Sequence, residues 1–374
     1  MTPIAGPGPG VVRSTLDGLV PYEPGRPVET VQRELGLEHV VKLASNEGPF
    51  GPFPEAIEAV ERALAESNRY PDGGCYRLRE ELSARHGVDF GEVVVAAGAD
   101  AVIGYACQAT LDRGDEIVTP WPSFPSYVLD AAKLGAVAKR VPLRNHTYDL
   151  DALLDAIGPR TKLVYVCHPN NPTGTGNPRA ELLEFFERVP EHVLTVLDQA
   201  YFEYIDDPEY ADGIEEVFKR GHRVVVLRTF SKIYGLAGVR VGYGVAPEDV
   251  VVATSKVRRA FDVTAPAQAA AAASIGQVEE LARRRAANAA GRAQLEETLR
   301  AHGLEPAGPA LGNFLYAEVG DGRAFFERLL RHGVIVRPLA GFGAPEAIRV
   351  SVGTEEENAF FAAALGQVVS AVSS

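Results

Sequence analysis

The chain has 374 residues, of which 46% are hydrophobic and 23% charged, and its 37 basic and 50 acidic residues give a formal net charge of −13. This size predicts one large or two medium domains, and the acidic balance excludes nucleic acid or an anionic membrane as the main partner. Three widely spaced cysteines predict neither a disulfide framework nor a metal site. We expect a cytoplasmic protein without a secretory signal or a membrane-spanning segment.

The N-terminal part of the chain is predicted to be an arm followed by a helix. Residues 1–12 are rich in Gly and Pro and indicate a tail, and residues 20–25 are rich in turn formers. In residues 54–67 apolar side chains recur at helical spacing after a proline, which suits a first helical turn. We expect residues 1–44 to form the arm and part of a small domain.

From about residue 90 onwards, short apolar runs alternate with longer amphipathic stretches. The predicted strands lie at residues 93–95, 117–118, 163–166, 194–197, 224–227 and 241–245. Because this alternation is typical of parallel strands joined by helices, it predicts an α/β domain with a mostly parallel sheet covered by helices. Ligands bind at the carboxyl ends of such strands, so residues directly after them are candidates for a site.

Towards the C-terminus the pattern changes to that of a smaller α+β domain. Its predicted elements are helices at 277–302 (one or two) and 322–332, and strands at 314–318, 334–336 and 348–352. The large domain is therefore predicted to span residues 45–262, and the small C-terminal domain residues 263–374.

A lysine with a distinctive set of neighbours follows the predicted strand at 224–227. Hydroxyl side chains precede Lys232 by one and three residues, at Ser231 and Thr229, and Arg240 follows eight residues later. A lysine amine can hold an aldehyde cofactor as a Schiff base, and hydroxyls with a guanidinium can hold that cofactor's phosphate. A Ser-Lys pair alone is more often a surface turn, but the full grouping favours a cofactor site.

Two further segments follow predicted strands. Asp198 can pair with a protonated pyridine nitrogen, although an aspartate after a strand can also cap a helix. Asn171 lies in a Pro- and Gly-rich turn, residues 169–174, that can present it to a phenolic oxygen.

Three further candidates for the same site have weaker support from the sequence. Gly98, Ala99 and Asp100 begin a predicted helix, and backbone N–H groups at a helix start bind phosphate well. Phe124 can stack on an aromatic ring, though core packing is its default role. Arg349 can bind a carboxylate with two hydrogen bonds or form a surface salt bridge.

With these residues in place, the chain resembles the fold type I pyridoxal-phosphate aminotransferases, and among them most the histidinol-phosphate aminotransferase subfamily. The resemblance covers about residues 22–365 and rests on residues 41–47, 69–72, 169–176, 229–243 and 334–338. It implies an aspartate-aminotransferase-like fold whose large domain has a seven-stranded sheet. It also implies pyridoxal 5'-phosphate as cofactor and transamination between histidinol phosphate and 2-oxoglutarate.

The resemblance further implies roles for individual residues. Lys232 would hold the cofactor and move a proton, and Asp198 would pair with the ring nitrogen. Tyr201 and Asn171 would bind the phenolic oxygen, and Phe124 would stack on the ring. The phosphate would be held by Thr229, Ser231, Arg240 and the backbone of Gly98, Ala99 and Asp100. In this family Tyr70 would reach the phosphate from the neighbouring subunit of a homodimer. The substrate would be bound by Tyr22, Asn46, Arg337 and Arg349.

Four positions depart from the family pattern and leave the substrate open: Gly48, Ala101, Gln199 and Asp262. If Asp262 faces the pocket, it would repel a phosphate and favour an amine or a neutral substrate; otherwise it points to solvent or pairs with Arg258 or Arg259. The alternatives are an aromatic amino acid or specialised-metabolism aminotransferase and a phosphothreonine-decarboxylase-like enzyme. A cofactor-binding regulator would need a basic DNA-binding segment, and the chain has none.

Overall fold

The structure is a computed structural model that describes residues 10–21 and 24–370, so the predicted substrate residue Tyr22 lies outside the described residues. The strands are β1 (Val41–Lys42), β2 (Val93–Ala96), β3 (Glu116–Trp121), β4 (Val137–Pro142), β5 (Thr161–Cys167), β6 (Leu194–Asp198), β7 (Val224–Thr229), β8 (Gly242–Val245), β9 (Phe314–Glu318), β10 (Val334–Ile335), β11 (Arg337–Leu339) and β12 (Ala344–Ser351).

The α-helices cover the faces of these sheets and connect them. They are α1 (Val28–Leu35), α2 (Pro54–Leu64), α3 (Tyr76–His86), α4 (Ala99–Thr110), α5 (Pro125–Leu134), α6 (Leu150–Ala156), α7 (Arg179–Arg188), α8 (Gly213–Glu216), α9 (Glu248–Val257), α10 (Ala265–Ile275), α11 (Val278–Ala301), α12 (Gly322–Arg331) and α13 (Glu355–Ser370). Within residues 10–21 and 24–370, none of the helices combines the length and the apolar character needed to cross a bilayer.

A seven-stranded sheet forms the centre of the larger part of the molecule. Its strand order is β2-β8-β7-β6-β5-β3-β4, and only β8 runs antiparallel to its neighbours. Strands β6 and β7 are buried along their whole length, as expected for central strands whose two faces are both covered by helices. The predicted mostly parallel sheet is therefore confirmed.

Strand β4 was not predicted. It lies at the edge of the sheet, parallel to β3, and most of its residues are at least partly exposed. Its sequence interrupts the apolar residues with Lys139 and Arg140. Charged side chains on an edge strand discourage pairing with other chains, and here they remove the apolar run by which the inner strands were recognised.

The smaller core lies around a three-stranded antiparallel sheet of order β11-β12-β9. Strand β1 pairs in parallel with β10, with Val41 opposite Val334, and so ties the N-terminal part of the chain to this smaller unit. The long helix α11 spans both cores, because Leu281 packs in the larger core whereas Leu295 and Leu299 pack in the smaller.

Helix α10 packs with the larger core, although the sequence assigned it to the small domain beginning at residue 263. Its buried residues Ala267, Ala270 and Ala271 belong to the larger hydrophobic cluster, and the helix packs against α2 and α3. The apolar face of an alanine-rich helix does not reveal which neighbour it covers. The residue at which the two domains separate therefore stays a prediction.

Candidate active site

The carboxyl ends of β5, β6 and β7 and the start of α4 converge on one cavity of about 210 Å³. The cavity is lined by Ser45, Asn46, Ala99, Asp100, Ile103, Phe124, Cys167, Asn171, Asp198, Ala200, Tyr201, Thr229, Ser231, Lys232, Arg240, Phe342 and Arg349. Parallel strands end at the same edge of their sheet, so residues that are far apart in the chain meet here. The segments around Asn46 and Arg349 are supplied by the smaller unit and close the cavity.

Lys232 presents its amine to this cavity. Its Nζ donates to the carbonyl oxygen of Asn46 at 3.1 Å, and it lies 5.3 Å from the centre of the Tyr201 ring. Removal from water, followed by the positive charge of Arg349, lowers the pKa of Lys232 to about 8. Both effects disfavour the ammonium form. At pH 7 a lysine with this pKa is neutral in about one molecule in ten, several hundred times more often than an ordinary lysine, and the neutral amine is the form that a nucleophile or a proton acceptor requires.

This pKa predicts a pH-dependent stability of the cofactor-free protein. A lysine pKa of about 8 in the folded chain, against 10.5 when unperturbed, means that below pH 8 the fold must hold a charge that it disfavours. We expect Lys232→Met to raise the free energy of unfolding by about 3 kcal/mol at pH 7. The gain should shrink as the pH rises from 8 to 10.5, because the folded lysine is then neutral and the free energy needed to remove its proton falls to zero near its unperturbed pKa.

The measurement is the thermal midpoint of wild type and variant across this pH range, with the exposed Lys256→Met on α9 as control. The control should show no pH-dependent gain. A gain of the same size at every pH would show that packing, rather than the charge of Lys232, is responsible.

Asp198 is a buried carboxylate held by neutral donors. Its Oδ2 accepts a hydrogen bond from the Tyr127 hydroxyl at 2.7 Å, and its Oδ1 accepts from the backbone N–H of Ala200 at 3.0 Å. Burial raises the pKa of Asp198. A buried carboxylate is best stabilised by a positive partner, so a protonated pyridine nitrogen is chemically suited to this position.

Tyr127 was not identified as a site residue from the sequence. Its side chain is fully buried and stacks on Tyr165, with ring centres 4.3 Å apart. It lies three residues after Phe124, which lines the cavity. Phe124 is the N-cap residue of α5 and Tyr127 lies in the first turn of that helix, but only the hydrogen bond in the folded chain shows that the Tyr127 hydroxyl reaches Asp198.

A network of amides and one guanidinium lines the side of the cavity near the smaller unit. Asn46 donates from Nδ2 to the Tyr201 hydroxyl at 3.0 Å, and the Ser351 hydroxyl donates to Asn46 Oδ1 at 3.1 Å. The buried Arg349 donates to Asn171 Oδ1 and, at 2.8 Å, to the carbonyl oxygen of Ala44. Asn46, Tyr201, Asn171 and Arg349 therefore lie together, as expected for groups that contact one small molecule.

At the opposite end of the cavity, the start of α4, strand β8 and Arg240 form a cradle. Two glycines allow these parts to lie close together. Gly98 has φ 92°, and a Cβ there would lie 2.8 Å from Arg240 Nη2. A Cβ on Gly242 would lie 2.4 Å from the backbone nitrogen of Ala99. Only residues without a side chain allow the start of α4 to approach β8 and Arg240 this closely.

The donors of this cradle suit a phosphate group. Arg240 Nη1 lies 3.4 Å from Ser231 Oγ and donates to the carbonyl oxygen of Ala237 at 3.2 Å, and Thr229 Oγ1 accepts from the backbone N–H of Ser231 at 3.1 Å. One guanidinium, two hydroxyls and the free N–H groups at the start of the twelve-residue helix α4 therefore face the same space. Such a donor set binds an anion with several oxygen atoms.

Three predicted residues of the described chain do not line this cavity: Gly98, Tyr70 and Arg337. Gly98 lies directly before the cavity-lining Ala99, at the start of α4. Tyr70 is 82% exposed and stacks on Phe261, with ring centres 4.6 Å apart. Arg337 lines a neighbouring cavity, and the ring of Phe342 lies near both arginines, 5.5 Å from the guanidinium of Arg337 and 5.2 Å from that of Arg349. Phe342 lines both cavities and was not identified from the sequence.

None of the four departures from the family pattern lines the main cavity. Asp262 Oδ2 accepts a hydrogen bond from the backbone N–H of Ala97 at 3.0 Å, so neither the pocket-facing orientation nor the solvent-facing one describes it. Gln199 accepts from the N–H of Gly213 and donates to the carbonyl oxygen of Ala211, both at 2.9 Å, in the core of the larger unit. The sequence could not show this, because side-chain direction after a strand depends on the packing around it.

Comparison with known proteins identifies the family. The sequence model of "Aminotransferase class I and II" matches residues 38–365. Histidinol-phosphate aminotransferase 2 of Carboxydothermus hydrogenoformans is 43% identical over 94% of this chain and 97% of its own length, and the histidinol-phosphate aminotransferase of Anaeromyxobacter sp. is 44% identical over 94% and 97%.

Solved structures agree with this assignment. The histidinol-phosphate aminotransferase of Sinorhizobium meliloti, determined in complex with pyridoxal-5'-phosphate, superposes with a TM-score of 0.87 at 28% identity, over 96% of this chain and 98% of that one. A mutant of Thermus thermophilus aspartate aminotransferase superposes with a TM-score of 0.85 at 27% identity, over 96% and 99%. The chain therefore belongs to the class I and II aminotransferases.

Proposed function

We propose that this enzyme is a pyridoxal-phosphate-dependent aminotransferase that moves the amino group of histidinol phosphate to 2-oxoglutarate. The observation that carries the proposal is the arrangement around one cavity of the Lys232 amine, the buried Asp198 carboxylate and the phosphate-binding cradle. The relatives named histidinol-phosphate aminotransferase match almost the whole chain, which supports this substrate.

The residues present fit the cofactor at each of its polar groups. The cradle of Thr229, Ser231, Arg240 and the start of α4 would hold the phosphate, and Asp198 the ring nitrogen. Tyr201 and Asn171 would hold the phenolic oxygen, and Phe124 would lie against the ring. When bound, pyridoxal phosphate supplies an electron sink for the electrons released when the substrate loses a proton from carbon.

Lys232 is proposed to carry that proton. With a pKa of about 8, its Nζ can accept a proton from the substrate carbon that bears the amino group, hold it, and release it again within the cavity. The carbonyl oxygen of Asn46, 3.1 Å from Nζ, keeps the amine directed to the cavity. Asp198 stays charged during this step when a positive ring nitrogen lies beside it, and Tyr127 and Ala200 fix its orientation.

The two arginines of the small sheet are proposed to bind the negatively charged substrates. Arg337 and Arg349 lie directly opposite each other across β11 and β12, so their side chains leave the sheet on the same face. Guanidinium groups bind phosphate and carboxylate with paired hydrogen bonds. Both histidinol phosphate and 2-oxoglutarate carry such groups. Tyr22 is proposed to contribute from the N-terminal arm.

A spectroscopic half-reaction tests the substrate. The cofactor-loaded enzyme is mixed separately with histidinol phosphate, histidinol, phenylalanine and tyrosine, and the visible absorbance of the bound cofactor is followed. We expect rapid loss of the band with histidinol phosphate and a much weaker response to histidinol, which lacks the phosphate. A response to phenylalanine or tyrosine but not to histidinol phosphate would favour the aromatic aminotransferase instead.

We also propose a homodimer in which Tyr70 completes the phosphate site of the neighbouring subunit. The exposed Tyr70 ring, held by stacking on Phe261, supports this proposal because it does not line the cavity of its own subunit. A cytoplasmic location is proposed as well, and it is supported by the three buried free cysteines, which suit a reducing compartment.

Hybrid dimers test the shared site. Tyr70→Ala and Lys232→Ala should each be impaired alone, Tyr70→Ala by about tenfold or more in cofactor affinity because a phosphate hydrogen bond is lost. After the two variants are unfolded and refolded together, each hybrid has one intact site, so activity should return at limiting cofactor. If Tyr70 serves its own subunit, both sites of the hybrid are defective and mixing restores nothing.

A further inference from the structure

The segment between α9 and α10 contacts the phosphate-binding cradle from outside the cavity. Asp262 lies in this segment, and its Oδ2 accepts the backbone N–H of Ala97 at 3.0 Å. Ala97 is the residue between the end of β2 and Gly98, where the chain turns into α4. The carboxylate of Asp262 is therefore attached to the turn that sets the position of the cradle.

A second contact links Asp262 to the helix that the turn begins. Tyr105 is a buried residue of α4, and its pKa is raised first by burial and then by its hydrogen bond to Asp262. One carboxylate thus contacts both the turn before α4 and the body of that helix.

Arg258 of the same segment makes a matching contact with the preceding strand. Its Nη1 donates to the carbonyl oxygen of Val95 in β2 at 3.0 Å, and its Nη2 donates to the carbonyl oxygen of Gly73. The segment therefore holds backbone groups at Val95 and Ala97, on either side of the last residue of β2. Neither Arg258 nor Asp262 lines the cavity, so both act on the cradle through its backbone.

The parts of the cradle lie in close contact at two glycines. A Cβ at Gly98 would lie 2.8 Å from Arg240 Nη2, and one at Gly242 would lie 2.4 Å from the Ala99 nitrogen. A small shift of the turn would change the distances between the α4 N–H groups and the Arg240 guanidinium. An anion held by both would lose part of its binding energy, because hydrogen bonds weaken steeply with poor geometry.

We propose that Asp262 is a positioning residue for the cofactor's phosphate group, acting through its hydrogen bond to the Ala97 backbone. The proposal rests on the proposed function, since it requires that the cradle binds the phosphate of pyridoxal phosphate. On this proposal, Asp262 contributes to the affinity for the cofactor. It does not repel the phosphate of the substrate. A carbonyl oxygen at this position would serve as well as a carboxylate, because the donor is a neutral amide.

The test compares two ligands that differ only by the phosphate. Dissociation constants of pyridoxal 5'-phosphate and of pyridoxal are measured by titrating the cofactor-free protein and following the absorbance of the bound ligand. We expect Asp262→Ala to weaken pyridoxal 5'-phosphate by about tenfold, the loss of one well-placed hydrogen bond, and to leave pyridoxal unchanged. Asp262→Asn, which keeps an acceptor oxygen, should bind both ligands like wild type.

The matched control is Asp321→Ala. Asp321 also accepts a backbone N–H, that of Ala324 at 2.9 Å, but it does so at the start of α12 in the smaller unit. It should change neither dissociation constant. If Asp262→Ala does not give folded protein, Asp262→Ser replaces it with the same expectation, because its shorter side chain cannot reach Ala97.

Three outcomes would overturn the proposal: equal weakening of both ligands by Asp262→Ala, no weakening of either, or failure of Asp262→Asn to restore affinity. These results differ from a failure of the proposed function. In that case the wild-type protein itself would bind neither ligand, or would bind both equally well, so that no phosphate preference existed for Asp262 to support.

Discussion

Replacement of Lys232 by alanine is expected to reduce kcat by about 10⁴-fold or more and to abolish the visible absorbance of covalently held cofactor. The reason is that one amine performs two tasks, covalent attachment and proton transfer, and the latter alone contributes up to about 10⁴-fold in enzymes. In the structure Lys232 Nζ is the amine that lines the cavity, and its pKa is lowered to about 8. The measurements are an absorbance spectrum and single-turnover kinetics with histidinol phosphate.

The matched control is Lys256→Ala, which removes an exposed lysine of α9. It should keep both the spectrum and the rate of the wild type. If Lys232→Ala kept the absorbance band and normal turnover, another amine would have to hold the cofactor, and the proposed mechanism would be wrong. Loss of the band with unchanged folding, judged by circular dichroism, is the result that supports it.

Replacement of Asp198 by asparagine is expected to lower kcat by about 10³-fold while the protein still binds the cofactor. Preorganised charges at an active site contribute about 10²–10³-fold each, and asparagine removes the charge with almost no change in size. Asp198 is buried, and hydrogen bonds of 2.7 Å from Tyr127 and 3.0 Å from Ala200 fix its orientation. Solvent therefore cannot compensate for the loss of its charge. The rate of the half-reaction and the cofactor dissociation constant are to be measured separately.

Tyr127→Phe distinguishes charge from orientation. This variant leaves the carboxylate of Asp198 in place and removes one neutral hydrogen bond, so we expect a loss of less than about tenfold. If Asp198→Asn and Tyr127→Phe had equal effects, geometry rather than the negative charge would be the main contribution of Asp198. A rate for Asp198→Asn close to that of wild type would exclude an ion pair with the ring nitrogen.

The sequence predicted the fold where its elements are apolar and continuous. The strands at Val93–Ala96, Leu194–Asp198 and Phe314–Glu318 were all expected at these places, because buried strands need uninterrupted apolar runs. The edge strand β4 was missed because Lys139 and Arg140, at partly and fully exposed positions, interrupt its apolar residues. Helix α10 was not predicted, and its residues were assigned to the small domain because their alanines do not specify which core they cover.

Motif spacing by itself indicated the kind of cofactor, and the resemblance to a known family supplied the reaction class. The Thr229–Arg240 segment, with Asp198 and Asn171 each following a strand, indicated an aldehyde cofactor with a phosphate, because few other arrangements need these groups together. The family assignment agrees with that interpretation. The roles of the individual residues remain predictions for the experiments above.

Only the tertiary structure shows which side chains from distant parts of the sequence contact the site residues. It brought the Tyr127 hydroxyl to Asp198, placed Phe342 beside Arg337 and Arg349, and attached Asp262 to the Ala97 backbone. These contacts join segments that are up to 165 residues apart. A local sequence pattern indicates which chemistry a segment can perform. The direction of a side chain, and the group that it contacts, depend on how helices and sheets pack together.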